Sequence, residues 1–383
     1  CDRRQRQMCI RDRFSSVGMP YPRNLTSPTY EYNEATQSWK PKTHYPIGDL
    51  KPERTDSWEV GLDMKLFKDF NLGLSWYLAN TFNQTFDPQI SVSSGYTTIY
   101  LQTGYVRNTG LELSLGYGHT WNNNFRWDSN FTLSHNKNKI KELVRDYVHP
   151  ETGELINKDR LDVGGLGKAR FILKEGGTLG DLYTQSDLKR DDNGMVDIDP
   201  TGIVAIENNL PDIKLGSVFP KANLAWSNHF SWKGISLSAL FTARIGGIVY
   251  SATEAAMDQY GVSERSALAR DNGGVLVNNR TLVDAQNYYT TIGSESGLPQ
   301  YYTYNATNVR LQEASIGYLI PRKWLGNVCD IQVSVIGRNL WMIYNKAPFD
   351  PESVATTDNY YQGIDYFMLP STRNIGFNVK INF

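Results

Sequence analysis

The sequence feature that most constrains the fold is a strict two-residue alternation of apolar and polar side chains. In residues 375–383 every odd-numbered position is apolar, and every even-numbered position is polar or glycine. Successive side chains of a β-strand point to opposite faces, so this pattern predicts a strand between two unlike environments. The same alternation recurs in residues 58–66, 70–78, 111–117, 125–133, 222–226, 235–243, 309–320 and 331–335. We therefore expect about nine strands, the first eight arranged as four hairpins, with a bulge near Glu313.

The connections between these strands alternate between short and long. Short links lie near residues 68, 122, 233 and 324, whereas the long connections cover residues 81–105, 136–219, 246–308 and 342–370. Aromatic residues flank each short link, and most strand charges lie on the polar face. Short turns at one end, long loops at the other and an aromatic girdle are typical of a membrane barrel. The sequence thus predicts an all-β fold, an antiparallel transmembrane β-barrel.

The strand count predicts that this barrel is incomplete. Single-chain bacterial barrels have an even number of strands, and about nine strands that end at Phe383 leave others missing. We expect a non-native leader at residues 1–13, an external loop segment at residues 14–57, and the C-terminal part of the barrel at residues 58–383. The alternative is a soluble β-sandwich, whose strands also alternate.

Composition and spacing exclude several classes of function. The chain has 39 Lys and Arg against 40 Asp and Glu, without a basic run, so we expect no nucleic-acid partner. Cys1 and Cys9 lie in the leader, which leaves Cys329 alone and predicts no disulfide framework. The five histidines lack ligand-like spacing, so no metal and no cofactor are expected.

Three short motifs resemble known sites without matching them. Residues 293–297 have the glycine spacing of a nucleophile elbow, but Glu295 stands where the serine is required. Residues 164–167 lack the context of a dinucleotide loop, and we interpret them as a flexible loop. Residues 191–194 lack the first and last calcium ligands, so a hairpin turn is expected there. We predict no catalytic residue and no enzyme activity.

Several segments, in a fixed order, resemble one known family. The resemblance covers roughly residues 45–383, and its motifs are residues 49–61 (Asp-Leu-Lys-Pro-Glu-Arg-Thr-Asp-Ser-Trp-Glu-Val-Gly), 106–112 (Val-Arg-Asn-Thr-Gly-Leu-Glu), 174–180 (Lys-Glu-Gly-Gly-Thr-Leu-Gly), 191–194, 308–312, 337–340, 350–352 and 370–383. Together they resemble the SusC/RagA-type TonB-dependent transporters of the bacterial outer membrane.

This resemblance implies a 22-stranded barrel of which the chain is about the last nine strands. It also implies a TonB contact through an N-terminal plug region that is missing here, a SusD-like surface lipoprotein as partner, and an oligosaccharide or peptide ligand. Outer-membrane lipid would surround the wall. Two alternatives remain: a siderophore-type TonB-dependent receptor and a secreted β-sandwich that binds carbohydrate.

Tyrosines in the long loops are the candidate ligand contacts, because their rings can stack on sugars while their hydroxyls form hydrogen bonds. The candidates are Tyr288, Tyr289, Tyr301, Tyr302, Tyr304, Tyr360 and Tyr361. The apolar side chains of the closing strand form the expected membrane-assembly signal: Phe377, Val379, Ile381 and Phe383.

Overall fold

The computed structural model describes most of the chain. The described residues are 30–33, 38–41, 44–45, 52–86, 98–99, 101–102, 104–121, 124–148, 155–326, 328–356 and 361–382. The predicted leader at residues 1–13, Tyr360 and Phe383 lie outside them. Within the described part, no helix is long and apolar enough to cross a membrane.

Strands dominate the described residues. In chain order they are β1 (Tyr30–Asn33), β2 (Ser38–Pro41), β3 (His44–Tyr45), β4 (Arg54–Leu66), β5 (Phe70–Phe82), β6 (Thr85–Phe86), β7 (Thr98–Ile99), β8 (Leu101–Gln102), β9 (Tyr105–Thr120), β10 (Arg126–Glu142), β11 (Val144–Val148), β12 (Leu155–Lys158), β13 (Arg160–Leu166), β14 (Ala169–Lys174), β15 (Asp181–Thr184), β16 (Asp187–Leu188), β17 (Ile206–Glu207), β18 (Ile213–Ser217), β19 (Ala222–Trp232), β20 (Ile235–Ile245), β21 (Ile248–Ser251), β22 (Val275–Val277), β23 (Thr281–Val283), β24 (Thr303–Asn305), β25 (Asn308–Ile320), β26 (Asp330–Asn345), β27 (Ile364–Asp365) and β28 (Asn374–Asn382).

Nine of these strands form one antiparallel sheet in the order β28-β26-β25-β20-β19-β10-β9-β5-β4. All four predicted hairpins and the closing strand are present, so the predicted strand count and antiparallel fold are confirmed. The first strand begins at Arg54, four residues before the predicted boundary at residue 58. Residues 54–57 are therefore part of this nine-stranded sheet, which we call the wall, and not of an external loop.

The strand register keeps most apolar side chains of the sheet on one face. Leu62 lies opposite Leu74, Leu74 opposite Leu113, Leu113 opposite Leu133, and Leu133 opposite Leu224. Five strands thus share one row of leucines, with Leu62 and Leu74 at 48% and 38% exposure. A one-residue slip would move each leucine to the other face, so this row fixes the register.

A bulge in β25 preserves this two-sidedness. Leu240 pairs with Glu313 and Phe241 pairs with Leu311, which leaves Gln312 as the extra residue, as the sequence predicted near Glu313. If β25 paired regularly with β20 and Gln312 lay opposite Phe241, Leu311 would move to the polar face. The bulge keeps Leu311 with the apolar residues and Arg310 with the polar ones.

Two polar side chains in the middle of the apolar face, Ser129 and Asn228, form hydrogen bonds with tryptophans of that face. Ser129 lies directly opposite Asn228, between two tryptophans on neighbouring strands. Trp127 Nε1 donates to Asn228 Oδ1 at 3.1 Å, and Trp226 Nε1 donates to Ser129 Oγ at 3.0 Å. Because lipid offers no hydrogen bonds, this mutual pairing lowers the cost of placing these groups at that surface.

The buried core lies mainly in the long connections, and the sheet adds Val106 and Ile140 from the ends of β9 and β10. Its residues include Phe171, Leu173, Leu182, Tyr250 and Tyr302, each 0% exposed. We call the described parts of residues 143–221, 246–307 and 346–373 the cap. Within it, β13, β14, β15 and β18 form a four-stranded sheet.

The cap contains helices that the alternation pattern did not predict: α1 (Ala252–Gln259), α2 (Glu264–Asp271) and α3 (Ala285–Gly293), with short 3₁₀ turns at Ser294–Ser296 and Pro299–Tyr301. A further 3₁₀ turn, Arg322–Leu325, lies in a short link of the wall. The interpretation of residues 164–167 as a flexible loop was wrong. Gly164 and Gly165 lie in β13 and pair with Phe171 and Arg170 of β14.

Candidate functional site

The candidate site is the polar face of the sheet where it meets the cap. A cavity of about 850 Å³ lies there, lined by strands β4, β5, β9, β10, β19 and β20 and by residues from the β25 and cap region. Its charged lining residues are Glu59, Asp63, Glu112, Arg244 and Glu352. Arg244 Nη2 donates to the backbone oxygen of Val218 at 2.7 Å, which joins the wall to the cap.

Two of the segments that carry the family resemblance, residues 308–312 and residues 350–352, meet at the mouth of this cavity. Arg310, 5% exposed, places Nη2 at 2.9 Å from Asp350 Oδ1 and 3.3 Å from Glu352 Oε2. Asn308 Nδ2 donates to Glu352 Oε1 at 3.2 Å. Burial alone would raise the pKa of Asp350, but hydrogen bonds from Ser371 and Arg310 lower it. The segment at residues 350–352 is thus held on the wall by charge.

A third motif joins the same region. Gln312 Nε2 donates to Asn339 Oδ1 at 2.9 Å, which connects the bulge of β25 to the irregular part of β26. Asn339 has φ +50°, a left-handed conformation that asparagine tolerates better than most residues. Residues 308–312, 337–340 and 350–352 are therefore one structural unit.

The motif at residues 174–180 joins the cap to the C-terminal end of β10. Leu179 N donates to Asn138 Oδ1 at 2.9 Å, and Ile140 N donates to Gly177 O at 2.9 Å. Asp181, 1% exposed, accepts from Thr178 Oγ1 at 2.7 Å and from Lys214 Nζ at 2.5 Å. The motif is an anchor and contributes no reactive group.

Cross-links between its three segments make the cap one body. Ser251 Oγ donates to Asp365 Oδ2 at 2.6 Å beside the parallel pairing of β21 with β27. Lys168 Nζ lies 2.8 Å from Glu295 Oε2, so the residue in the elbow-like motif forms an ion pair. Asn278 bonds both the N–H and the carbonyl of Val196, at 3.0 and 2.8 Å.

The predicted ligand-contacting tyrosines fall into different environments. Tyr302 is 0% exposed and donates from its hydroxyl to Asp258 Oδ2 at 2.9 Å. Its burial raises the pKa of the hydroxyl and leaves no ring face for a ligand. The prediction for Tyr302 is corrected accordingly, because this tyrosine belongs to the core.

The remaining described tyrosines are partly buried or exposed. Tyr288, Tyr289 and Tyr301 pack against the cap core, and the rings of Tyr288 and Tyr289 meet edge to face at 5.4 Å. Tyr304 packs edge to face on Phe349. Tyr361 is 41% exposed. Its hydroxyl packs close against Gly164, since a Cβ built at that glycine would lie 2.6 Å from the hydroxyl oxygen. Tyr360 lies outside the described residues.

A charged cluster inside the cap was missed from the sequence. Asp258, 1% exposed, accepts from Ser263 Oγ at 2.5 Å and from Arg265 Nε at 2.9 Å. The Arg265 guanidinium lies 4.8 Å from the centre of the Tyr302 ring. The signal available in the sequence was helix capping, since Ser251, Ser263 and Asp284 each stand one residue before a helix and accept a backbone N–H there. These contacts stabilise the cap and offer no metal site. The described residues contain no group of three or more His, Cys, Asp or Glu placed to hold a metal ion.

Aromatic rings form a continuous belt near the short-turn end of the sheet. Ring centres of Phe70 and Tyr117 lie 4.7 Å apart, those of Tyr117 and Trp127 5.2 Å, and those of Trp127 and Phe230 5.8 Å. The belt crosses β5, β9, β10 and β19. Such girdles mark the membrane–water interface of barrel proteins.

The closing strand presents its predicted assembly residues on the apolar face. Phe377, Val379 and Ile381 lie opposite Val335, Val333 and Ile331 of β26. Phe377 is 82% exposed, as expected for a side chain whose environment is lipid. The role of these residues in membrane assembly stays a prediction.

Comparison with known proteins identifies the family. The family model described as "TonB dependent receptor-like, beta-barrel" matches residues 19–340. TonB-dependent receptor P3 of Formosa agariphila is 25% identical over 372 residues, covering 88% of this chain and 35% of the relative. TonB-dependent receptor P26 of the same organism is 24% identical over 362 residues, with the same two coverages. The chain thus spans about a third of the length of these curated relatives.

Solved structures show the same fold. The RagAB peptide transporter aligns with a TM-score of 0.67 at 19% identity, covering 92% of this chain and 38% of that one. The RagAB peptide importer in its closed-closed state aligns with a TM-score of 0.64 at 19% identity, covering 93% and 38%. The predictions of family, barrel fold and outer-membrane location are therefore confirmed. The chain belongs to the TonB-dependent receptor-like β-barrel family.

Proposed function

We propose that this chain forms wall and cap of an outer-membrane, TonB-dependent importer of oligosaccharides or peptides. The observation that carries the proposal is the two-sided sheet of nine strands, apolar on one face and lining a polar cavity on the other, with a folded cap above it. Strands β4 and β28 are the edges of this sheet. Unpaired edges are costly in lipid, so the complete wall needs further strands, which the rest of the protein would supply.

The partners follow from the same proposal. Energy would arrive from TonB through an N-terminal plug region, and a SusD-like lipoprotein would cover the cap side of the wall. Support comes from the RagAB structures, which are described as a peptide importer and align with nearly the whole of this chain. We infer binding and gating as the mechanism, without chemical change to the ligand.

Ligand contact is proposed for the tyrosines that keep accessible surface. Tyr361 and the partly buried Tyr288, Tyr289, Tyr301 and Tyr304 can each present a ring edge or hydroxyl, which suits both sugars and peptides. Charged cavity residues would hold the polar parts of the ligand. Their side chains lie on the cavity side already, so binding requires little ordering of the wall.

Uptake by cells that carry the full-length gene tests the proposal. Labelled peptides, labelled oligosaccharides and a labelled ferric siderophore are supplied separately, with and without a protonophore that collapses the inner-membrane proton gradient. We expect peptides or oligosaccharides to enter only when both the gene and the gradient are present. Gene-dependent uptake of ferric siderophore alone would contradict the proposal and favour a siderophore receptor.

A matched pair of variants tests the ligand-contacting role. Tyr361→Ala should raise the concentration for half-maximal uptake several-fold, because a stacking ring is lost. Tyr260→Ala serves as the control, since Tyr260 is 76% exposed on the cap and outside the proposed set. Equal effects of the two substitutions would argue against direct contact by Tyr361.

A further inference from the structure

Three basic side chains lie together on the apolar face of the sheet, near its cap end. Lys139 is directly opposite Arg107, and Lys137 is directly opposite Thr109 two residues along the same ladder. The next pairs down the ladder are His135 with Leu111 and, beyond that, Leu133 with Leu113. We call Arg107, Lys137 and Lys139 the outer basic patch.

The register places this patch just beyond the apolar band. Arg107 stands four residues past Leu111 on β9, and Lys137 stands four residues past Leu133 on β10. At about 3.4 Å per residue and a strand tilt of about 40°, four residues rise about 10 Å along the membrane normal. That height corresponds to the headgroups of the leaflet on the cap side.

The patch lacks a counter-charge among the described residues. None of the ion pairs found there includes Arg107, Lys137 or Lys139. Asp56 lies opposite Asn80, which in turn lies opposite Arg107. The Asp56 carboxylate pairs with Arg54, at 3.1 Å, and not with the patch.

Two features show that the patch is arranged to receive an anion. Like charges directly opposite each other on a ladder are destabilising, and the Lys139–Arg107 pair is such a case. The guanidinium of Arg107 is also held in place: Nε donates to Asn80 Oδ1 at 2.9 Å, and Nη2 donates to the Tyr105 hydroxyl. A bound anion would relieve the repulsion between the fixed Arg107 guanidinium and the Lys139 ammonium opposite it.

We propose that the outer basic patch binds the phosphate group of a lipid headgroup in the outer leaflet. A phosphate can accept from the guanidinium of Arg107 and from both ammonium groups, while the acyl chains lie on the leucine rows below. The site would fix the height and rotation of the wall in the membrane. It is independent of ligand import through the polar cavity.

Binding of phosphorylated lipid A to the full-length protein in detergent tests this site. The variant R107Q/K137Q/K139Q is compared with K65Q/K323Q/K380Q, which loses the same charge from the polar face and a short link. Each basic residue near a lipid surface contributes about a fivefold gain in affinity, so the patch variant should bind on the order of a hundredfold more weakly. The control should bind as the unmodified protein does.

Two further arms identify the bound chemistry. Dephosphorylated lipid A should bind the unmodified protein as weakly as phosphorylated lipid A binds the patch variant. Inorganic phosphate that binds as tightly as lipid A would assign the patch to a soluble anion and overturn the lipid proposal. Equal lipid affinity of patch and control variants would overturn it as well. Heat-modifiable gel migration shows that each variant is folded, so loss of binding reports on the patch itself.

Discussion

Gly110 shows how a single residue shapes the polar face. It lies directly opposite Tyr77, and a Cβ at this position would overlap the Tyr77 ring. An aromatic ring laid over a strand glycine covers the backbone there and strengthens the pairing. This explains the glycine in the segment Val106–Glu112 by geometry, which the sequence motif alone did not reveal.

Replacing this glycine should destabilise the wall. Gly110→Ala forces Tyr77 off the strand, at a cost of about 1 to 3 kcal/mol from overpacking. Gly376→Ala is the matched control, because no atom lies within 4 Å of a Cβ built at that strand position. Heat-modifiable gel migration of the full-length protein measures both unfolding temperatures. Equal stability of the two variants would show that Tyr77 does not depend on Gly110.

Asp212 is a cap carboxylate whose charge state contributes to stability. Its carboxylate, 6% exposed, receives Arg160 Nε at 2.7 Å and Lys174 Nζ at 2.9 Å. The hydrogen bond from Arg160, followed by that from Lys174, lowers the pKa of Asp212 to about 2. The folded cap therefore favours the charged carboxylate relative to the unfolded chain.

This lowered pKa predicts acid sensitivity of the cap. A depressed carboxylate pKa stabilises the folded state at neutral pH, and the stabilisation is lost as the pH falls from about 4 to about 2. Asp212→Asn should therefore cost on the order of 2 kcal/mol at pH 7 and much less near pH 2. Hydrogen exchange of residues 160–174 over this pH range is the measurement. A cost independent of pH would contradict the assignment.

The sequence revealed the motif residues at this scale but not their partners. Asp350 and Glu352 were noted as a motif, whereas their pairing with Arg310 depends on how the chain returns to the wall. Asp258 and Arg265 were not noted at all, because an isolated Asp in a long loop has no distinguishing local pattern. Partners distant in sequence are set by packing, which a single sequence does not display.

At the scale of elements, the bulge of β25 can be tested by deletion. Deleting Gln312 removes the extra residue while every remaining side chain keeps its face, so the barrel should still assemble. Deleting Ser315 instead draws Gln312 into the ladder opposite Leu240, so Leu311 keeps its face while Glu313 moves to the lipid face opposite Ala239. We expect a heat-stable barrel from the first deletion and a clearly lower unfolding temperature from the second. The opposite outcome would mean that the register is misassigned.

The attachment of residues 350–352 to the wall predicts strong coupling between Arg310 and Asp350. Arg310→Met leaves the Asp350 carboxylate, whose side chain is 9% exposed, without its guanidinium partner. The change should cost about 3 to 5 kcal/mol, seen as faster hydrogen exchange in residues 346–356. Combining it with Asp350→Leu should cost less than the sum of the two single changes. Purely additive costs would show that the two side chains do not interact.

Strands were predictable because each lies between two unlike environments, and the alternation records both. The helices α1 to α3 were not predicted, since each has only eight or nine residues and its burial depends on the rest of the cap. The parallel pairing of β21 with β27 joins Ser251 to Asp365 across more than a hundred residues. No local pattern specifies such a contact, so the sequence predicts only long connections in the cap.

At the scale of the whole molecule, the chain combines two kinds of stabilisation. The wall has almost no buried core, and its exposed leucines, valines and aromatic residues depend on lipid. The cap has a dry core of its own and is joined to the wall through Asn138, Arg244 and Arg310. The sequence predicted the wall correctly and described the cap only as long connections.

Spin-label accessibility along residues 111–116 tests the two-sided wall most directly. After Cys1, Cys9 and Cys329 are changed to serine, a nitroxide is placed at each position in turn in the full-length protein in lipid. Labels at 111, 113 and 115 should collide with oxygen dissolved in the bilayer. Labels at 112, 114 and 116 should favour a water-soluble nickel chelate. Labels at 111, 113 and 115 that are shielded from both oxygen and the nickel chelate would contradict a lipid-facing wall, because such shielding is expected for a sheet packed on a second sheet.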